Sequence, residues 1–210
     1  VKTALAHIDA TFDGDHPKYG VKQYGEDMHD GFPPTIIAAV DALSAWGIHT
    51  HAAELFRYWL RRFVRDDGSI DYYGPSISEY GQLLHTAALL DERAGPDGWW
   101  DESRAALGRL AGYLTRLPRE AGPNGGLIAG APEADERANV AVYFHNNAWA
   151  SKGLTRWPAL CERHGEPAPS EGQEAAQALA AITRAWPEDE ADWWLTPRIE
   201  PLDRPSHLTD

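Results

Sequence analysis

The run Pro33-Pro34-Thr35-Ile36-Ile37-Ala38-Ala39-Val40-Asp41-Ala42-Leu43-Ser44-Ala45-Trp46 is the stretch on which the fold turns. Proline is tolerated in the first turn of a helix, where its missing N–H has no partner to lose. Gly47 ends the run as a helix-terminating glycine. Between them the residues are apolar on almost every side, which predicts an interior helix over about Thr35–Trp46. The next stretch, about Thr50–Arg65, differs in kind. Leu55, Trp59, Leu60 and Phe63 form one stripe while Arg57, Arg61, Arg62 and Arg65 cover the rest, as on a helix with one wet side. An interior helix followed by an exterior one makes a hairpin with an inside and an outside.

Outward from this pair the same plan recurs. Asp66-Asp67-Gly68 reads as a turn, and an apolar helix follows over about Ser76–Arg93. A charged, amphipathic helix then spans about Asp101–Leu117, a third long loop Pro118–Ala141, and another helix about Tyr143–Arg163. A helix over about Ser170–Trp186 has one polar and one small-residue face, and Lys2–Phe12 reads as a short helix at the start. The loops entering the interior helices are long and rich in Asp, Glu, His and Tyr, whereas Gly47–His49, Ala94–Gly98 and His164–Pro169 are shorter and plainer. An α/α barrel produces this asymmetry, with inner helices around an axis and the equipped loops at one rim; an ordinary helical bundle with long loops is the alternative. The expected class is all-α, in one domain over residues 1–210, with residues 187–210 an extended Pro-rich tail.

Composition narrows the partners. Hydrophobic residues at 43 % and charged residues at 24 % of the 210 are globular values, so the chain is not disordered. The balance of 19 basic against 32 acidic residues disfavours nucleic acid and anionic membrane surfaces, both of which select Lys and Arg. Cys161 is the single cysteine, which excludes an internal disulfide and a Cys-based zinc cage. With no base near it, it is not expected to be a nucleophile. No apolar run reaches the roughly 18–20 residues of a membrane span, and no leader peptide is visible, so a cytoplasmic location is expected. The 9 Trp and 8 Tyr suit either a large core or a cleft that stacks sugar rings. No phosphate loop, dinucleotide fingerprint or Ser-centred elbow is present, and no cofactor is expected.

Four groups of residues could carry chemistry. In Gly125–Glu136 the carboxylates Glu133, Asp135 and Glu136 lie in a Gly/Pro-framed loop before a helix. Crowded like charges raise a carboxyl pKa, as a general acid requires, so Glu133 and Asp135 are the catalytic candidates; a solvated acidic loop is the plain alternative. His145-Asn146-Asn147 opens an interior helix, and three polar side chains there imply either a polar pocket or, for one of them, a cap. Glu26, Asp27, His29 and Asp30 match no zinc or calcium spacing and suit hydroxyl binding instead. Asp71, Tyr72 and Tyr73 with Glu79 and Tyr80 form a further group, fit for sugar stacking or for rim packing.

Several of these stretches resemble the six-hairpin glycosidases, whose catalytic domain is an (α/α)6 toroid and which include glucoamylases and debranching-type glucosidases. Met28-His29-Asp30-Gly31-Phe32 is similar to that family's Arg-Asp-Gly segment, with His29 where the family has arginine. Asp67-Gly68-Ser69-Ile70 resembles its Asp-Gly-x-Ile turn, Gly126-Leu127-Ile128 with Pro132–Glu136 its acid-bearing loop, and His145-Asn146-Asn147-Ala148-Trp149 the helix start that follows. The likeness spans about Tyr24–Leu154. It implies an oligo- or polysaccharide substrate, Glu133 or Asp135 as general acid, and Glu26, Asp27, His29, Asp30, Tyr73, Glu79, His145, Asn146 and Asn147 around the sugar. A full toroid has twelve helices and this chain has room for about half at ordinary helix lengths. Self-association, or a missing remainder of the chain, is therefore expected to cover the inner helices. The leading expectation is an inverting glycoside hydrolase; a toroid-type polysaccharide lyase using Tyr143, His145 and Asn146, and a non-catalytic carbohydrate-binding or assembly module, are the alternatives.

Overall fold

Seven helices make up the regular structure of the described residues: α1 (Lys2–Ala10), α2 (Pro33–Ala45), α3 (His49–Phe63), α4 (Ile77–Ala94), α5 (Trp99–Arg116), α6 (Phe144–Arg163) and α7 (Ser170–Arg184). The computed structural model describes residues 2–13, 16–17, 31–72, 76–95, 98–117, 126–133, 139–167 and 170–184. A two-residue antiparallel ladder, Phe12–Asp13 with His16–Pro17, accompanies them. The class is all-α, as the periodicity predicts, and each helix end lies within two residues of its expected place. The expected tail over 187–210 lies outside the described residues. Among the described residues no helix is long and apolar enough to cross a membrane.

The residues fall into two compact units, Val1–Tyr73 with Leu83–Tyr113, and Gly74–Gln82 with Leu114–Asp210. In the first, α2 packs along α3. Leu55, Trp59, Leu60 and Phe63 of the expected α3 stripe are all buried, and Arg61 and Arg62 face water. Arg57 donates to Glu102 Oε1 at 2.9 Å and Phe56 meets the Trp99 ring at 6.4 Å, which sets α3 beside α5. Arg93 Nη1 lies 2.7 Å from Asp41 Oδ1 and 2.8 Å from Ser44 Oγ, tying the end of α4 to α2.

Within this chain α2 buries one face only. Ile36, Val40 and Leu43 are buried, Ile37 is half-buried, and Ala38, Asp41, Ala45 and Trp46 are exposed. Alanine costs little to leave wet, so a helix rich in it looks apolar all round while burying one face. α4 is the helix that fits the expectation: Ile77, Tyr80, Leu83, Leu84, Ala87, Ala88 and Leu90 are buried, with Glu92 and Arg93 exposed at its end.

The turn after α3 follows from its sequence. Gly68 adopts φ +87, and its N–H donates to Arg65 O at 3.0 Å. Asp67 Oδ1 accepts from the backbone N–H of Ser69 at 2.8 Å and from its hydroxyl at 2.6 Å. Arg65 N then donates to Ser69 O at 2.9 Å, and Val64 pairs with Ile70. A Cβ on Gly68 would overlap the carbonyl of Arg109 on α5. The Asp67–Ile70 motif is thus fully engaged as a turn seated on α5.

In the second unit α6 and α7 pair along their length, and Ser151 Oγ donates to Ala176 O at 3.1 Å. The first turns of α4 meet α6 backbone to backbone. A Cβ on Gly81 would overlap the Trp149 carbonyl, and one on Gly153 would stand 2.7 Å from Gly81 Cα. Neither neighbour is a side chain that can swing away.

Two expectations follow. Gly81→Ala and Gly153→Ala should each destabilise the fold by about 1–3 kcal/mol or more, through overpacking. Gly172→Ala, where an added Cβ meets nothing, should stabilise by up to about 1 kcal/mol through helix propensity; urea midpoints at constant slope measure both. The Ser69 hydroxyl and then the Ser69 N–H hold the Asp67 carboxyl below its ordinary 3.8, with Arg65 adding to the shift. A depressed pKa stabilises the fold above the unfolded value and ceases to do so as pH falls through the folded one. Asp67→Ala should therefore be less stable than the parent at neutral pH, with a gap that narrows once the pH drops below 3.8.

Candidate functional site

The site is built from the start of α6. Tyr143 precedes the helix in extended conformation, and no side chain caps it. His145, Asn146 and Asn147 therefore do not serve as caps, the plain role open to them from sequence; each grips the backbone of the loop at residues 126–133. Asn147 Oδ1 accepts from Ile128 N at 2.8 Å, while its Nδ2 donates to Ile128 O and to Tyr143 O, both at 3.0 Å. Asn146 Nδ2 donates to Ala131 O at 2.8 Å. His145 Nε2 lies 2.7 Å from Pro132 O, and because a carbonyl only accepts, that nitrogen carries the proton. Three successive helix residues thus hold a loop that runs antiparallel to them.

The loop is also held from its other side. Gly126 enters it at φ +91. Gly130 and Ala141 exchange both backbone hydrogen bonds, at 2.9 and 3.1 Å, and Ala131 pairs in parallel with Ser76. The Tyr143 hydroxyl donates to Asn139 O at 2.9 Å. Leu127, Ile128 and Ala131 are buried by this arrangement, and the next carboxylate along, Glu133, stands exposed.

Glu79 lies one segment away in the same unit, in the first turn of α4, where free N–H groups favour a carboxylate. It is buried, and its Oε2 accepts from the Ser78 hydroxyl at 2.8 Å and from the Ser76 hydroxyl. Sequence reading did not single out Ser76 or Ser78. The signal was there, because Ser76 and Glu79 have the spacing of a capping box; in the structure the two side chains bond to each other.

The structure therefore brings Glu79, His145, Asn146, Asn147 and the Glu133 loop into one unit. Glu26, Asp27, His29, Asp30, Tyr73 and Asp135 lie outside the described residues. Of the two candidate carboxylates among the described residues, Glu79 is buried and Glu133 is exposed. In the first unit, the chain just after Asp30 is pinned to α3. Trp59 Nε1 donates to Gly31 O at 3.2 Å, and a Cβ on Gly31 would stand 2.5 Å from the Phe63 ring. The Tyr72 ring packs on Phe32, with centroids 5.6 Å apart.

Among the described residues no group of three or more His, Cys, Asp or Glu side chains is placed to hold a metal ion. Cys161 is buried in α6, and burial, with Glu166 and Glu162 adding to it, pushes its thiol up to about 11. It is therefore a neutral thiol at physiological pH and a poor nucleophile. No protein-family model, curated protein or solved structure matches the chain.

Asn147→Ala should destabilise the protein by about 2–4 kcal/mol, because it leaves the buried N–H and C=O of Ile128 without partners. Hydrogen exchange at the Ile128 amide should accelerate in step with the shift in the urea midpoint. An unchanged Ile128 amide would show that the loop is held by other means.

Proposed function

We propose that the chain is a carbohydrate-active domain of α/α-toroid, glycosidase type, which cleaves an α-gluco- or α-manno-type bond with Glu133 as general acid. The observation that supports this is the mounting of the Glu133 loop. Side chains from three consecutive residues of α6, together with the pairing of Ala131 to Ser76, hold the backbone up to Pro132. An acid catalyst must be held still relative to the oxygen it protonates, and such a mount provides that. Asp135 as alternative acid, and Glu26, Asp27, His29, Asp30 and Tyr73 as sugar contacts, enter from the sequence alone.

In this reading the Glu133 carboxyl gives its proton to the glycosidic oxygen while a second carboxylate, roughly 6.5–9.5 Å away, activates a water on the opposite face. Glu79 is occupied by two serine hydroxyls and acts in positioning, so the second carboxylate is not assigned within the described residues. The 210-residue chain is accordingly expected to bind sugar weakly and to turn it over slowly or not at all. A second reading, a non-catalytic carbohydrate-binding or assembly module, is favoured by one observation: Glu133 is exposed, without the burial that keeps an acid protonated.

Aryl α-glucosides and α-mannosides separate the two. In a hydrolase, Glu133→Gln should lower the rate by about 10²–10⁴-fold and leave the sugar dissociation constant unchanged. Equal rates in parent and variant, with sugar binding intact, would leave the binding module. Failure of the parent to bind either sugar at millimolar concentration would overturn both.

A further inference from the structure

Ser76 is held at both ends. Its backbone pairs in parallel with Ala131 of the 126–133 loop, and its hydroxyl donates to Glu79 Oε2. The Ser78 hydroxyl donates to the same oxygen at 2.8 Å. All three residues are buried, at 2–3 % exposure, and the carboxylate lies in the first turn of α4. Hydroxyl donors and the free N–H groups of a helix start both favour a carboxylate over its neutral acid. Hydrogen bonds to an ionised group are also roughly twice as strong as neutral ones. A proton on the carboxyl therefore weakens both serine bonds at once, and it makes the group a donor in need of an acceptor.

We infer that Glu79 is a pH-sensitive latch on the 126–133 loop, acting through Ser76. As the carboxylate it fixes Ser76, and Ser76 fixes Ala131; on taking up one proton from solvent it releases Ser76, and the loop loosens. The coupling has one sign, because the bonds belong to the ionised form: the hold is present where Glu79 is ionised and is lost as the pH falls through its titration. The elements that meet the start of α4 carry other titratable and charged groups, among the described residues Glu133 on the loop, Tyr143 before α6, and His145 and Lys152 on α6. Glu133 is exposed, and the Tyr143 hydroxyl donates to Asn139 O. His145 Nε2 already carries the proton in its contact with Pro132 O, so a proton added at Nδ1 leaves that bond in place. Lys152 lies over the Trp149 ring at 4.7 Å. On α4 itself the next titratable side chains are Tyr80, a hydroxyl that acid leaves neutral, and His85, nearly two turns further along. The latch concerns how the loop is held and stands apart from the carbohydrate reading of what the loop does.

The test uses the full 210-residue chain, labelled with ¹³C and ¹⁵N. The Glu79 Cδ resonance reports uptake of the proton. Hydrogen-exchange protection, corrected for its intrinsic pH dependence, reports the hold on Gly130, whose N–H donates to Ala141 O. The expected result is that protection at Gly130 falls about tenfold over the pH interval in which Glu79 titrates, as the loss of charge assistance to the serine bonds implies. The Leu160 amide, in the last turns of α6, should keep its protection over the same interval. Glu79→Gln, neutral at every pH and close to the same shape, should show the lowered Gly130 protection already at neutral pH and no further change in acid. Protection at Gly130 that follows the His145 ring or the Glu133 carboxyl, or that stays constant while Glu79 titrates, overturns the inference. So does a Glu79 Cδ that never changes in the folded protein, or loss of protection at Gly130 and Leu160 together, which is acid unfolding. Should Glu79→Gln fail to fold, the titration of the parent chain decides by itself.

Discussion

The second unit depends on two backbones touching. Where α4 and α6 meet at Gly81 and Gly153, no side chain separates them, and main-chain atoms define the distance. A contact of that kind leaves little freedom: a side chain at either place would push the helices apart by more than rotamer changes absorb. Because the two helices meet a few residues after both begin, the contact also fixes their starts. Ser76, before α4, is thereby near enough to pair with Ala131, and His145 to Asn147, at the start of α6, are near enough to hold the same loop. The polar cluster is thus a consequence of how closely the helices approach.

The polar residues of that cluster divide by what they touch. Asn147 works as a substitute strand, giving and taking hydrogen bonds with one residue as a neighbouring backbone would. Ser76 and Ser78 serve Glu79 in the same fashion, supplying the donors a buried carboxylate requires. Among the described residues, His145, Asn146 and Asn147 are thus engaged in holding backbone. Such a division suits a site in which rigid mounting matters more than the number of contacting side chains.

How much was legible in the residues differs by level. The helices were, because a stripe such as Leu55, Trp59, Leu60 and Phe63 repeats at helical spacing whatever lies opposite. The turn at Asp67–Ile70 was, because its bonds close within five residues. The buried face of α2 was not: alanines at 38 and 45 carry no preference strong enough to mark a side. Nor were the roles of Asn146 and Asn147 visible, since their partners lie fifteen and nineteen residues earlier and are backbone groups, which every residue possesses. The closeness of Gly81 to Gly153 was equally hidden, because a glycine in a helix looks the same whether it meets another helix or open water.

The thiol of Cys161 has a consequence for the whole molecule. With its pKa raised to about 11, only about one molecule in ten thousand carries the thiolate at neutral pH. The chain has no second cysteine to pair with it. These residues have no internal disulfide to make or lose, and their one thiol is too protonated to exchange readily. Reductant should leave the fold of these 210 residues where it found it.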